Sequence, residues 1–70
     1  MFIVIIDAKD KAVLELRDID QIMNYQKKTK AKEAKIYIAN DTEMPETVKY
    51  YADYNGVEIQ RTKWRLHDKS

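Results

Sequence analysis

The sequence predicts a small α/β domain with a mixed β-sheet and two helices in the order ββαβαβ, and three observations carry that expectation. Residues 2–6, FIVII, are an unbroken apolar run that suits a core strand covered on both faces. Two stretches, opening at Asp18 and around Pro45, repeat apolar residues at the spacing of one helical face. Each is followed by a short strand-like run, residues 36–39 and then 57–62, so the later half of the chain alternates as parallel crossovers do.

The first strand ends in Asp7-Ala8-Lys9, and the alternation of side chains along a strand puts Asp7 and Lys9 on one face at its carboxyl end. Open α/β sheets hold their chemistry at that edge. After the polar step at Asp10 and Lys11, the run AVLELR over residues 12–17 alternates apolar and polar. It reads as a half-buried strand in a hairpin with the first. Asp18 then opens a helix, with Gln21 three residues on in a capping-box pattern, and Ile19, Ile22, Met23 and Gln26 trace its inner stripe. Gln21 and Tyr25, four apart, are neighbours on another flank of the same helix.

The helix runs into KKTKAKEAK, where Lys27, Lys28, Lys30, Lys32 and Lys35 crowd its end. Cations there suit the negative end of the helix dipole, and they equally suit a phosphate-binding patch. Residues 36–39 read as a buried strand ended by Asn40-Asp41. Pro45 suits a first helical position, and Met44, Val48, Tyr51 and Ala52 form the second helix's inner face. Asn55-Gly56 is a left-handed stop. One domain over residues 1–62 and a basic tail over 63–70 complete the division. In that tail Lys63, Trp64 and Arg65, with Arg61 nearby, interleave charge with an aromatic ring as phosphate contact plus base stacking requires. The alternative is that Trp64 folds back over the sheet.

Composition narrows the function. Seventy residues without cysteine exclude a disulfide frame, a zinc finger and thiol redox chemistry, and the single histidine, His67, cannot form a ligand cluster. A metal would be held by carboxylates and backbone oxygens, which suits Mg²⁺ or Mn²⁺. No stretch approaches the roughly 20 apolar residues that span a bilayer, and the opening run lacks signal-peptide features, so the reading is a soluble, cytoplasmic chain with no membrane partner. A domain this small buries only about 60% of its unfolded surface, which makes a homodimer or larger assembly the expectation.

Asp7-Ala8-Lys9 followed by Gln21-Ile22-Met23-Asn24-Tyr25 resembles the acid-x-Lys strand and Q-x-x-x-Y helix of the PD-(D/E)xK, restriction-endonuclease-like superfamily, in particular its RecB-like branch. The resemblance implies a restriction-endonuclease-like core lacking the first helix and strands. It also implies that Asp7 is a metal ligand, that Lys9 is the catalytic lysine, and that Gln21 and Tyr25 order the site or contact DNA. It further implies a divalent-metal-dependent nuclease, with Mg²⁺ or Mn²⁺ as cofactor if active and nucleic acid, DNA first, as partner. The family's earlier carboxylates have no counterpart before Asp7. Either a second subunit supplies an acid such as Asp10, Glu15 or Asp20, or the module has lost catalysis. Two alternatives accompany this reading. One is a non-enzymatic oligomeric module binding protein through a tyrosine-rich helix and a strand edge. The other is a kink-turn RNA-binding fold, which residues 34–59 resemble through Asn40-Asp41 and the pair Tyr50-Tyr51. Asp7 and Lys9 also admit a purely structural reading, as an exposed ion pair ending a strand.

Overall fold

A computed structural model describes residues 3–63 and contains five elements: β1 (Val4–Lys9), α1 (Leu16–Thr29), β2 (Glu33–Ile38), α2 (Glu46–Tyr54) and β3 (Val57–Arg61). The order among the described residues is therefore βαβαβ. The strands form a single sheet in the order β1-β2-β3, parallel at both pairings rather than mixed. Two right-handed crossovers taken in the same direction place both helices on one face. The core lies there, with Ile19 and Ile22 from α1, Val48 and Ala52 from α2, and Ala34, Ile36 and Ile38 from β2 in one buried cluster.

The expected strand over residues 12–17 is the main correction. Only Val13 makes a bridge, to Glu43, held by Leu14 N–H to the Glu43 carbonyl at 2.9 Å and Glu43 N–H to the Ala12 carbonyl at 2.8 Å. From Leu16 the chain is already helical. The alternation of residues 12–17 is real, but Leu, Glu and Arg are also good helix formers, and an acid three residues after Glu15 favours starting the helix there. Asp18 is accordingly the third helical residue and not the cap: its Oδ2 accepts the Glu15 N–H at 2.9 Å. Gln21 takes no part in the cap.

A second correction concerns β1, which among the described residues lies at the sheet's edge with helices over one face only. Ile5, Asp7 and Lys9 point to the helix side, while Val4, Ile6 and Ala8 share the bare side. Ile6 there is 57% exposed. Five consecutive apolar residues signalled burial on both faces because periodicity cannot distinguish a covered sheet from one whose second face stays open.

Elsewhere the elements follow their local signals, except that β2 begins at Glu33 and not at Ile36, and so takes in Lys35, which the lysine run had placed at the helix end. Met23 and Gln26 are half-buried beside Ile19 and Ile22, and α1 ends on Lys30 in the left-handed region, φ 57°. Pro45 precedes α2 as its extended cap, and Met44 and Tyr51 pack beside Val48 and Ala52. Gly56 has φ +73° just past α2, and nothing lies within 4 Å of the space a Cβ would occupy. Gly56→Ala should therefore cost only the backbone strain of that conformation, about 1 kcal/mol, read as a lower urea midpoint. A loss several times larger would mean that the loop rearranges. Among the described residues no helix is long and apolar enough to cross a membrane.

Candidate functional site

Strand alternation and one helical turn bring three of the four motif side chains together. Lys9 is the last residue of β1, and its Nζ lies 3.2 Å from Asp7 Oδ2 and donates to Gln21 Oε1 at 2.6 Å. These groups sit at the carboxyl edge of the parallel sheet, and the side chains of Lys9 and Asp7 are 17% and 28% exposed. Tyr25 stands one turn along α1 from Gln21 with its ring exposed. No hydrogen bond from its hydroxyl reaches the cluster; Thr29 Oγ1 donates to its backbone carbonyl at 2.8 Å.

The cluster extends to residues that the sequence placed in other roles, Asp18 as a cap, Glu15 as an acid for a second subunit, Lys11 in a turn and Arg17 in a strand. Asp18 is buried, and its Oδ1 is 3.9 Å from Lys9 Nζ. Lys11 Nζ donates to Asp18 Oδ2 at 2.9 Å and to Glu15 Oε1 at 2.7 Å, and Arg17 Nε donates to Glu15 Oε1 at 2.9 Å. Three carboxylates thus face three cations. Asp18 could have been found from the i,i+3 spacing that puts it beside Gln21. Lys11 could not, because its position depends on the bridge between Val13 and Glu43.

Electrostatics follow from these contacts. Burial alone would raise the Asp18 carboxyl, but the Lys11 ammonium, the Glu15 amide and the nearby Lys9 charge together hold it below the usual aspartate range. Hydrogen bonds to Glu15 and Asp18 push Lys11 up, and those from Lys11 and Arg17 hold Glu15 down. Asp18, Glu15 and Lys11 are therefore charged at neutral pH. An open depression of about 410 Å³ runs past them, lined by Lys11, Arg17, Asp18, Asp20, Gln21 and Asn24.

The donor set does not fit a divalent metal within one chain. Among the described residues no group of three or more His, Cys, Asp or Glu side chains could hold one. Asp7 already faces an ammonium, and Asp18 is occupied by Lys11 and a backbone amide. Of the acids considered as donors to a second subunit, Asp10 is exposed, Glu15 is tied to Lys11 and Arg17, and Asp20 accepts a hydrogen bond from the Tyr51 hydroxyl.

The remaining candidates lie elsewhere. Lys27, Lys28, Lys30 and Lys32 are all exposed, at the end of α1 and in the loop before β2. That is the opposite edge of the sheet, where Lys32 N–H donates to the Ile3 carbonyl at 2.8 Å. A six-residue strand separates them from Lys9 by roughly 16 Å. Arg61 Nη1 donates to the carbonyls of Ala39, Asn40 and Thr42 at 3.3, 3.0 and 2.6 Å, pinning the loop after β2. Lys63 is exposed, while Trp64 and Arg65 lie outside the described residues. Tyr50 and Tyr51 do not form a pair on one surface: Tyr50 is exposed, and Tyr51 packs against the core.

No protein-family model, curated protein or solved structure matches this chain.

Proposed function

We propose that the chain is a nuclease-like nucleic-acid-binding module in which Lys9, poised between Asp7 and Gln21, meets a DNA phosphate. The observation that supports this reading most is the pair of contacts that Lys9 Nζ makes, 3.2 Å to Asp7 and 2.6 Å to Gln21, at the carboxyl edge of the sheet. A phosphate oxygen displacing the Gln21 carbonyl would gain a charge-assisted hydrogen bond in a partly screened site. The single chain binds and does not cleave. Hydrolysis with Mg²⁺ or Mn²⁺ would need carboxylates from a second polypeptide, as in a homodimer, because the described residues of one chain bring no metal-binding group of three together.

Lys9→Met keeps the aliphatic stem and removes the charge. It should weaken binding to a short DNA duplex about tenfold at low salt and lower the salt slope by about one, measured by fluorescence anisotropy across a salt series. Unchanged affinity and slope would remove Lys9 from the interface.

A second reading has its own support. Ile6 is 57% exposed on the bare sheet face, and Tyr50 and Tyr54 are exposed on α2, which favours a protein-binding, self-associating module. Sedimentation as a stable oligomer with no affinity for DNA would select it.

A further inference from the structure

We infer that α1 reads duplex DNA from its outer crest, with Arg17 and Asn24 contacting base edges in the major groove; this deepens the nucleic-acid reading above and rests on it. Arg17, Gln21, Asn24 and Lys28 recur at i, i+4, i+7 and i+11, directly opposite the stripe of Ile19, Ile22 and Met23 that enters the core. All four are exposed, and none is acidic.

The acids that flank this crest are each engaged. Asp18 is buried against Lys11, Glu15 is bonded by Lys11 and Arg17, and Asp20 accepts from the Tyr51 hydroxyl. The crest itself therefore presents two cations and two amides, which suit a polyanion, although Asp20 beside it is exposed and the Glu15 side chain is 44% exposed. Cations also stand beyond both ends of the crest, Lys9 and Lys11 at one and Lys30 and Lys32 at the other.

The dimensions fit a duplex. Eleven residues of helix separate Arg17 from Lys28, about 16 Å along the axis, and the major groove is about 12 Å wide. A helix lying across that groove leaves Arg17 to Asn24, about 10 Å along the axis, over the bases and carries Lys28 at one end, and Lys9 and Lys11 beyond the other, toward the two phosphate walls. Arginine pairs bidentately with guanine and asparagine with adenine. Arg17 and Asn24 both line the depression beside the crest, with Gln21 between them next to Lys9. The bond from Arg17 to Glu15 is an exposed one, of the kind that is readily exchanged for a base.

The test uses the full 70-residue chain and a panel of fluorescein-labelled duplexes of varied G·C and A·T sequence, with anisotropy as the readout and circular dichroism as the check on folding. Arg17→Ala and Asn24→Ala should each weaken the best duplex about tenfold while leaving the poorest unchanged, and Lys28→Ala should weaken every duplex alike and lower the salt slope by about one. If the wild type binds and Lys9→Met weakens it, but Arg17→Ala and Asn24→Ala change nothing, the crest inference fails and the Lys9 reading stands. Equal loss on every duplex would move the two residues to the phosphate backbone and overturn base contact. Tighter binding to single strands, or competition by polyglutamate as effective as by DNA, would overturn the groove. No binding by the wild type sinks both readings together.

Discussion

Ile36→Ala is expected to remove most of the protein's stability, about 3 kcal/mol from the transfer and cavity costs of losing a fully buried isoleucine side chain. Ile36 is 0% exposed at the middle of the central strand, with Asp7 of β1 and Ile59 of β3 as its register partners. Both helices lie over that face, so no exposed side chain stands ready to fill the space. A chain of 70 residues has on the order of 3–10 kcal/mol in total, so the variant should sit near its unfolding midpoint at room temperature. Urea unfolding followed by circular dichroism reads the change. Because Asp7 is the direct neighbour on β1, the same substitution should loosen the Lys9 site before the whole domain melts. A loss below about 1 kcal/mol would indicate that the helices settle onto the sheet and close the cavity.

The features legible from sequence were those fixed by short-range geometry. Strand alternation put Asp7 and Lys9 on one side, and helical spacing put Ile19, Ile22 and Met23 in the core with Gln21 outside it. Gly56 after α2 announced its own left-handed turn. What was hidden depended on contacts between distant segments. Residues 12–17 satisfy a strand pattern and a helix start equally well, and the choice is made by Glu43, which bonds Ala12 and Leu14 and leaves no partner strand for a hairpin. Thr42, buried, donates its hydroxyl to the Lys11 carbonyl at 2.8 Å and fixes the same segment. Lys11 is thereby carried over Asp18, and a cluster expected to hold one acid and one lysine became a balanced group of six. The edge position of β1 was hidden for a similar reason: strand order is a property of crossovers and is not encoded in the strand that becomes the edge.

Asp18→Asn should cost about 2 kcal/mol at neutral pH, the scale of losing hydrogen bonds to a charged group in a buried site. Asp18 is 5% exposed, and its carboxylate accepts from Lys11 Nζ and from the Glu15 amide and lies 3.9 Å from Lys9 Nζ. An asparagine can still take the Glu15 amide, but it offers Lys11 no charge and brings an NH₂ group with no acceptor. The effect has a pH signature that separates it from a packing defect. Since folding lowers the Asp18 pKa, its contribution is complete above the ordinary aspartate range, about 3.9, and is lost as pH falls through the lowered value. The gap between wild type and Asp18→Asn in urea unfolding should therefore be widest near pH 7 and narrow steadily in acid, where the wild type alone gives up the ion pair. A gap that stays constant from neutral pH into acid would assign the loss to shape and not to charge. The site would then owe its geometry to the helix cap, with Lys9 and Lys11 held by their remaining partners, Asp7 and Gln21 for the first and Glu15 for the second.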